Sequence, residues 1–327
     1  MSQFRVSVII PNYNRKENIL RLLPNLMEQT LPADQFEVIV VDDGSSYDPA
    51  EILAFHTPFK FQFLRKENQG ATIARNFGVD HSSGNVLIFI DDDVTLTPPT
   101  LEAMAKACES EEKAVVMGTI VTRFAEENPS HFTQLTLENA NSGPHAGHND
   151  DKLHDIHFSW CNTELLAVCR ADFFALGMLQ DPTGGWPNWD DVDFGYRSYK
   201  AGYRLLQCGG ATGFHWDYSI ASLEKACIRW QKAGVSAVKL YQVHPELREH
   251  IVMFKDKTPI EWGQDSPKLI MRKIIYRILA SPPIVWLMET VVKLLETVFP
   301  SKKLLGLLYR WIQGSYMLRG YRLGLSQ

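Results

Sequence analysis

The sequence predicts an α/β protein with a mostly parallel central sheet and helices on both faces, followed by amphipathic C-terminal helices. In the first 95 residues, short apolar runs alternate with helix-like segments, and three of those runs end in polar or acidic tips. Alternating strands and helices are typical of βαβ units, in which the strands run parallel. Apolar residues at helical intervals after residue 267 predict the terminal helices.

The first strand is predicted over residues 6–10, a run of Val and Ile that is typical of a strand buried on both faces. Turn-forming residues follow at 11–14. The next apolar residues recur at the spacing of an amphipathic helix, and they are Ile19, Leu22, Leu23 and Leu26. The same patterns then predict strands over residues 36–41, 61–64 and 86–90 and a helix over 71–79.

Between residues 95 and 220 the hydrophobic pattern is less regular than in the first 95 residues. Residues 126–155 are polar and show no clear period, which predicts a mobile loop. An apolar run at 115–122, a helix near 194–201 and a strand near 204–208 complete the globular part. We therefore expect one domain over residues 1–220 divided near residue 95, a helical connector over 221–266, and a basic helical tail over 267–327.

The composition is that of a globular protein, with 45% hydrophobic and 22% charged residues among 327. The formal net charge of −5 excludes a uniformly basic nucleic-acid binder, but it is the sum of +8 after residue 266 and −13 before it. The five cysteines include no C-x-x-C pair, so we expect buried thiols in a reducing cytosol rather than a zinc site or disulfides. Neither a signal peptide nor a membrane-spanning segment is expected.

Acidic side chains follow the predicted strands at the edge of the sheet where ligands bind in open parallel sheets. Asp42 and Asp43 follow the second strand, and Asp91, Asp92 and Asp93 follow the fourth. Adjacent carboxylates repel one another, and a bound cation relieves that repulsion. Oxygen ligands favour Mg²⁺ or Mn²⁺ shared with substrate phosphates, and an acidic cap on the next helix is the alternative.

A glycine-rich phosphate loop is missing from the sequence. No G-x-G-x-x-G follows the first strand, and no G-x-x-x-x-G-K-[ST] occurs anywhere. Dinucleotide-binding and P-loop proteins therefore lose their main support. Phosphates would be held by the metal ion and by basic groups such as Arg75.

Four motifs in order resemble glycosyltransferase family 2, which has the GT-A fold. They are VSVIIPNYNR at residues 6–15, VVDDGSS at 40–46, NQG…ARN at 68–76, and IDDD at 90–93 with Gly84 before it. The resemblance covers residues 5–217 and does not extend to the tail. It implies an inverting transferase that uses a nucleotide-diphospho-sugar, with residues 1–95 as the donor-binding half and 96–220 as the acceptor side.

The resemblance also implies roles for individual residues near the donor. Pro11 and Tyr13 would border the nucleotide, and Asp43 would accept a hydrogen bond from the base. Arg75 would lie near the base and the phosphates. A weaker match implies that Trp160 and Asn162 line the donor sugar.

The acidic run at residues 91–93 matches the D-x-D motif of the family. Asp93 is implied as a metal ligand, Asp91 as a metal ligand that also faces the ribose, and Asp92 as sharing either role. His215 stands where some relatives have a histidine that ligates the metal. A structural or surface histidine is the alternative for His215.

Residues 184–197, GGWPNWDDVDFGYR, resemble the acidic acceptor-side motif of the family. Asp190 replaces the usual Glu, and Asp191 would be the general base that takes the proton of the acceptor hydroxyl. Trp186 and Trp189 would offer apolar ring faces to an acceptor sugar, although core positions are the alternative for both. The carboxylates would otherwise cap the helix near Phe194.

Basic and aromatic residues are interspersed among the apolar residues of the tail, and Pro282, Pro283 and Pro300 divide it into about three helices. Basic amphipathic helices with Trp and Tyr are typical of segments that bind an anionic membrane surface. Packing against the rest of the chain or in a homodimer is the alternative.

These observations predict an inverting, metal-dependent glycosyltransferase attached peripherally to the cytoplasmic face of the cell membrane. Its partners would be a nucleotide-diphospho-sugar donor and a glycan or lipid-linked acceptor, with Mn²⁺ or Mg²⁺ as cofactor and no nucleic acid. Two alternatives remain at this point. One is a sugar-nucleotidyltransferase, which would need a basic glycine-rich loop after the first strand. The other is a catalytically silent carbohydrate-binding protein of the same fold.

Overall fold

The structure is a computed structural model that describes residues 4–124, 129–142, 147, 150–181, 189–216 and 221–327. These residues belong to two compact units. The first unit takes the described residues of Met1–Arg123, Asn139–Asp181 and Asp190–Trp216. The second takes those of Phe124–Glu138, Pro182–Trp189 and Asp217–Gln327. The expected connector over 221–266 and the expected tail over 267–327 both lie in the second unit.

A sheet forms the centre of the first unit. Its strands in the described residues are β1 (Val6–Asn12), β2 (Phe36–Asp42), β3 (Lys60–Arg65), β4 (Val86–Ile90), β5 (Val94–Leu96), β6 (Ala114–Thr122), β7 (Leu153–Asp155), β8 (Leu165–Cys169) and β9 (Arg204–His215). The strand order is β3-β2-β1-β4-β8-β6-β9-β5, and β7 pairs with β9.

The first four strands run parallel, as the alternating sequence pattern predicts. β8 runs antiparallel to both β4 and β6, while β6 and β9 are parallel. β5 and β7 pair with β9 in the antiparallel direction. The parallel half of the sheet therefore brings the carboxyl ends of β1, β2 and β4 to one edge.

Helices are numbered in chain order over the described residues. They are α1 (Lys16–Met27), α2 (Ala50–Leu53), α3 (Ala71–Asp80), α4 (Thr100–Ser110), α5 (His131–Ala140), α6 (Arg170–Ala175), α7 (Asp190–Lys200), α8 (Leu223–Val243), α9 (Leu247–His250), α10 (Val252–Lys257), α11 (Pro267–Leu279), α12 (Pro282–Val298) and α13 (Lys302–Leu325). A short 3₁₀ turn spans Phe158–Trp160.

The core of the first unit forms because its central strands are apolar on both faces. All seven residues of β1 and all seven of β2 are buried. The apolar face of α1 is also buried, at the positions that its helical spacing predicts. Burial of apolar side chains from both layers is the main free-energy source for this packing.

The segment 126–155, expected to be an irregular loop, contains regular structure where it is described. α5 occupies His131–Ala140, and β7 occupies Leu153–Asp155. The Ser130 hydroxyl accepts a hydrogen bond from the Thr133 backbone N–H, which satisfies a donor at the start of α5. Phe132 is buried in the core of the second unit. This part of the segment is helical because it has a cap and a buried apolar anchor.

The core of the second unit joins α5, α8, α12 and α13. Phe132 meets Tyr309 edge to face, with ring centroids 5.1 Å apart. Val285 and Val292 of α12 are buried in the same cluster. α11, α12 and α13 confirm the expected division of the tail into three helices. α13 is nevertheless a core helix of its unit, because Leu305, Tyr309, Ile312, Leu318 and Tyr321 on it are buried.

α8 and α13 approach each other closely because glycines lie at their contact. A Cβ on Gly320 would overlap the backbone carbonyl of Gln231, and a Cβ on Gly234 would overlap that of Met317. Only glycine allows backbones to come this near. The position of α13 on α8 is therefore set by residues without side chains.

Lys273 is one of the basic residues interspersed in the tail, and the structure buries it. Its Nζ lies 2.8 Å from Asp265 Oδ2 and donates to the carbonyl oxygen of Pro259 at 2.9 Å. Asp265 also pairs with Arg248. Helical spacing alone could not reveal this network, because the partners come from an irregular segment before α11.

Among the described residues, no single helix is both long and apolar enough to cross a membrane. α11 and α12 together have the length and the composition, but they are bent by 67° at their junction.

Candidate active site

The polar residues predicted at the strand ends come together in the first unit. β1 and β2 pair with Asn12 opposite Asp42, and β1 also pairs with β4. Asp91, Asp92 and Asp93 follow β4 directly. The parallel register is the physical reason that these distant segments share one edge.

Asp91 contacts Arg75 of α3. Arg75 Nη2 donates to Asp91 Oδ1 at 2.5 Å, and the Arg75 side chain is almost fully buried. Burial raises the pKa of Asp91, although the Arg75 charge acts in the opposite direction. The Arg75 Nε is buried and has no hydrogen-bond partner among the described residues. This arginine therefore has donor capacity left for an anion.

Arg75 also reaches the carboxylate pair at the start of α7. Its Nη1 lies 3.7 Å from Asp190 Oδ2, and Thr72 Oγ1 donates to the same oxygen at 2.7 Å. Asp190 is thus held from α3 by a hydroxyl and a guanidinium. The D-x-D segment and the acceptor-side motif, which are about 100 residues apart in sequence, share one arginine.

Asp191 lies beside Asp190 in the first turn of α7. Its Oδ1 accepts the Val192 N–H at 2.7 Å, and no described residue hydrogen-bonds its Oδ2. Burial and then the charge of Asp190 raise the pKa of Asp191 to about 8. A carboxylate with a raised pKa and a free oxygen is suited to accept a proton near neutral pH.

Asp93 lies between a histidine and an arginine. Arg15 Nη1 is 2.8 Å from Asp93 Oδ2, and His215 Nε2 is 3.3 Å from Asp93 Oδ1. Burial acts to raise the pKa of Asp93, but His215 and Arg15 together hold that pKa below its ordinary value. Asp93 Oδ1 itself is buried and has no hydrogen-bond partner among the described residues.

Asp92 differs from its neighbours because both of its oxygens bond to the protein. Asn12 Nδ2 donates to Oδ2 at 2.7 Å, while Asn18 Nδ2 and Arg15 Nη1 donate to Oδ1 at 3.2 and 3.1 Å. Burial raises the pKa of Asp92 to about 6. Asp92 therefore orients Arg15, and its expected part in binding the metal ion or the ribose stays a prediction.

The predicted nucleotide residues have different degrees of exposure. Pro11 is buried within β1, whereas the Tyr13 side chain is 50% exposed. Asp43 is buried and accepts the backbone N–H groups of Gln69 at 3.0 Å and Gly70 at 2.7 Å. Gly70 has a φ of +93°, a conformation that favours glycine, at the residue before α3. Asp43 therefore fixes the loop that leads into α3.

Lys66 adds a charge to this loop, with its Nζ 2.7 Å from Asp43 Oδ1. Two of the bonds to Asp43 therefore fall on Oδ1 and one falls on Oδ2. Oδ2 keeps capacity for a further donor, as the expected contact with a base requires.

Trp160 and Asn162 lie just before β8. Trp160 ends the 3₁₀ turn and is partly buried. Asn162 Nδ2 donates to the carbonyl oxygen of Trp160 at 3.4 Å, and its Oδ1 is buried with no partner among the described residues. The Asp91 N–H donates to the carbonyl oxygen of Glu164, so this segment runs beside the D-x-D motif.

Trp189 is not the exposed platform that the sequence suggested. Its indole is buried in the second unit, and its Nε1 donates to the carbonyl oxygen of Ala233 at 2.8 Å. Phe254 packs against the ring, with centroids 5.7 Å apart. Trp189 is therefore a core residue. Trp186 lies outside the described residues.

Arg15 and Glu164 also lie at this site, although the sequence predicts no role for either residue. Arg15 ends the first matched motif, and its position after a strand could have marked it as a group near the phosphates. Glu164 Oε2 lies 3.7 Å from His215 Nδ1, on the side of the ring opposite to Asp93. No local pattern marks Glu164, because only the antiparallel pairing of β8 with β4 brings it to this edge.

Together, the fold and the site define an α/β protein with paired arginines and carboxylates at the end of parallel strands. Residues 7–166 match the family model described as Glycosyl transferase family 2. Glycosyltransferase AglE of Haloferax volcanii is 34% identical over 272 residues, which are 80% of this chain and 84% of that protein. The chain belongs to glycosyltransferase family 2.

Two further similarities show the extent of the match. An uncharacterized glycosyltransferase of Rickettsia bellii is 36% identical over 150 residues, and the match spans 46% of this chain but 20% of that protein. The solved mannosyltransferase PcManGT of Pyrobaculum calidifontis, in complex with GDP-Man and Mn²⁺, has a TM-score of 0.58 at 18% identity. That match covers 98% of this chain and 87% of that structure, and it confirms the predicted GT-A fold.

Proposed function

We propose that this protein is an inverting glycosyltransferase that moves a sugar from a nucleotide-diphospho-sugar to a hydroxyl of a lipid-linked or polysaccharide acceptor. The acceptor is reached at the cytoplasmic face of the cell membrane, where the enzyme is peripherally attached. The position of Arg75 carries the proposal. Its guanidinium lies between Asp91, on the donor side, and Asp190, on the acceptor side.

Donor binding in this proposal uses the residues at the strand edge. The half-exposed ring of Tyr13 offers a face to the base, and Asp43 Oδ2 accepts a hydrogen bond from it. Asn162 Oδ1, which is buried without a partner among the described residues, accepts a hydroxyl of the donor sugar. The unused donors of Arg75 and the half-exposed guanidinium of Arg15 face the diphosphate. Buried polar atoms without partners favour this assignment, because leaving them unpaired costs free energy.

Asp191 is the general base of the proposed reaction. Its Oδ2 takes the proton of the acceptor hydroxyl as the acceptor oxygen forms a bond to the anomeric carbon. The bond between that carbon and the diphosphate oxygen breaks on the opposite face, and the nucleoside diphosphate leaves with the bonding electrons. Attack from the opposite face inverts the anomeric configuration, as in inverting glycosidases.

Mn²⁺ or Mg²⁺ is the cofactor of this proposal, and the residues at Asp93 fit such an ion. Asp93 Oδ1 is buried without a hydrogen bond among the described residues, and the imidazole Nε2 of His215 is 3.3 Å from it. No group of three His, Cys, Asp or Glu side chains is gathered around one point in the described part of the chain. Of the expected ligands Asp93, His215 and Asp91, at most two, Asp93 with either His215 or Asp91, would therefore hold the ion together with phosphate oxygens. The bound ion supplies positive charge for the leaving diphosphate.

The structural neighbour PcManGT supports the donor and metal parts of the proposal, since it was solved with GDP-Man and Mn²⁺. The chain spans only about a fifth of its relative from Rickettsia. The proposed acceptor class therefore rests on two features of this chain. They are the carboxylate pair at the start of α7 and the basic helices of the second unit.

The substitution Asp191→Asn tests the general base. We expect turnover to fall at least about 10²-fold, since general bases contribute 10²–10⁴-fold. Donor affinity should stay within about twofold, because Asp191 contacts the acceptor hydroxyl and not the donor in the proposed reaction. The measurements are nucleoside-diphosphate release from a panel that includes GDP-mannose and UDP-glucose, with a membrane lipid extract as acceptor, and calorimetric titration of the same donors.

Asp155→Asn is the matched control, because Asp155 is an exposed carboxylate paired with Arg204 on the surface. Its turnover should match the wild type. Normal turnover in Asp191→Asn would remove Asp191 as the base. Donor binding by the wild type without any transfer would favour the silent carbohydrate-binding alternative.

A further inference from the structure

A cavity of about 290 Å³ lies within the second unit, between α12 and the last turns of α13. Its lining includes the apolar residues Val285, Trp286, Leu318 and Leu323. The charged residues of the lining are Arg319, Arg322 and Glu289. The cavity is therefore shaped for a ligand that is partly apolar and partly charged.

The charge of the cavity is positive. Tyr316 donates its hydroxyl hydrogen to Glu289 Oε1 at 3.0 Å, so the single acid already has a partner. Arg319 and Arg322 are exposed, and neither forms an ion pair within the described residues. Burial and the like charge of Arg322 lower the pKa of Arg277 on α11, which shows that a third cation lies near. Unneutralised arginines beside a cavity favour an anionic ligand, above all a phosphate.

α12 carries apolar residues on two faces, and only one face is packed. Val285, Met288, Val292 and Leu295 form the packed face in the core of the second unit. A second set recurs at helical spacing and is exposed: Leu287, Val291, Leu294 and Val298, called here the exposed stripe. Trp286, which lines the cavity, is beside the stripe and 66% exposed. An exposed apolar stripe next to a cationic cavity is the arrangement of an interfacial helix.

We propose that the cavity binds the phosphate head group of an anionic phospholipid while the exposed stripe rests in the membrane surface. Arg319 and Arg322 pair with the phosphate oxygens, and Trp286 and Leu323 contact the first carbons of the lipid chains. The inference deepens the membrane attachment in the proposed function and rests on that attachment. It does not depend on the transfer reaction, and its test measures binding alone.

The charge of the second unit favours a lipid surface over a second copy of the chain. Seven cations after residue 266 have no ion-pair partner among the described residues: Lys268, Arg277, Lys293, Lys303, Arg310, Arg319 and Arg322. A second copy of the chain would carry the same net charge of +8 after residue 266. Like charges repel, whereas an anionic membrane attracts each cation by about 1 kcal/mol.

The test is binding of the full chain to vesicles, measured by co-sedimentation. Vesicles of phosphatidylcholine alone are compared with vesicles that also contain phosphatidylglycerol. The cavity variant is Arg319→Gln with Arg322→Gln. The control, Lys268→Gln with Arg310→Gln, removes the same charge from the same unit at exposed positions that do not line the cavity. Leu287→Ser with Leu294→Ser tests the exposed stripe.

We expect binding to the anionic vesicles, a loss of about tenfold or more in the cavity variant, and a much smaller loss in the control. The stripe variant should weaken binding to both kinds of vesicle. Millimolar inorganic phosphate should not release the protein, because it lacks the apolar part. Thermal denaturation midpoints of all variants should match the wild type, since the substituted side chains are exposed.

Three results would overturn the proposal. Equal losses in the cavity variant and the control would mean that a diffuse charge, rather than the cavity, binds the membrane. Release by inorganic phosphate would make a free phosphate the ligand. Failure of the wild type to bind any vesicle, with a dimer in analytical ultracentrifugation that the stripe variant dissociates, would assign the stripe to a second copy. Loss of transfer activity alone would bear on the proposed function and not on this site.

Discussion

Ionisation of Asp191 destabilises the folded protein, and the same carboxylate is the base of the proposed reaction. Its carboxyl group is raised in pKa by burial and by Asp190, so the folded protein resists its ionisation. Residues of this kind are concentrated at functional sites, where chemistry rather than stability selects them. The raised pKa can therefore be checked through stability as well as through activity.

We predict that Asp191→Asn stabilises the protein increasingly as pH rises. Below the ordinary pKa of Asp, the carboxyl is protonated in both folded and unfolded chains and contributes no difference. Between that pKa and about 8, the unfolded chain releases the proton more readily, so the wild type loses stability with rising pH. The gain in thermal denaturation midpoint of the variant should therefore be small at pH 4 and largest above pH 8.

Asp155→Asn supplies a control of opposite sign for this pH series. A hydrogen bond from Arg204 lowers the pKa of Asp155, so its contribution to stability is present above the ordinary pKa and is lost in acid. Asp155→Asn should therefore not raise the thermal denaturation midpoint at pH 8. A gain for Asp191→Asn that did not change with pH would show that the fold does not raise the pKa of Asp191.

The sequence located most of the acidic residues of the site, but it did not show which role each of them has. The runs at 42–43 and 91–93 were visible because several carboxylates follow apolar strands. Which of these carboxylates faces a ligand depends on which of their oxygens already accept hydrogen bonds from the protein. Asp92 accepts hydrogen bonds from Asn12, Asn18 and Arg15, and only the tertiary structure shows these contacts.

At the scale of elements, the contact between α8 and α13 gives a sharp test of packing. Gly320 lies where a Cβ would overlap the backbone of Gln231, so we predict that Gly320→Ala destabilises the second unit by about 1–3 kcal/mol. Gly306 lies in the same helix, but a Cβ there meets only a distant atom of Arg310 at 3.9 Å. Gly306→Ala should therefore stabilise the helix by up to about 1 kcal/mol.

Chemical denaturation followed by circular dichroism measures both changes. The pair controls for helix propensity, because both substitutions improve it equally. If Gly320→Ala were as stable as Gly306→Ala, the two helices would not be in close backbone contact.

The elements show why periodicity fails where partners are distant. The three helices after residue 267 were predictable, since proline positions and apolar spacing are local signals. The burial of Lys273 and of the inner face of α13 was not, because it depends on Asp265 and on α8. Removing residues 267–327 would therefore uncover the core of the second unit, so the membrane proposal is tested with point substitutions.

At the scale of the whole molecule, a bound donor and metal ion should stabilise the folded chain. A ligand that binds only the folded state raises the denaturation midpoint by mass action. We predict that GDP or UDP at saturating concentration raises the midpoint in Mn²⁺ or Mg²⁺, and that EDTA removes most of this shift together with transfer activity. Restored metal should bring back both.

Two variants separate the contribution of the metal ion to the midpoint shift from that of the nucleotide. Asp93→Asn should reduce the metal-dependent part of the shift, because Asp93 is the proposed ligand beside His215. The control Glu109→Gln changes a surface carboxylate paired with Arg5 and should leave the shift unchanged. Full activity in EDTA would contradict the use of a metal ion.

The sequence by itself determined the fold class, the acidic strand edge, the unequal distribution of charge and the membership in family 2. Each of these depends on local patterns or on motifs that are short and contiguous. The tertiary structure alone decided that Arg75 joins Asp91 to Asp190, that Trp189 is core, and that α13 is packed while one stripe of α12 is not. The physical reason is that burial and pairing depend on residues that are far apart in the chain. A pattern along the chain does not show how close such residues lie in space.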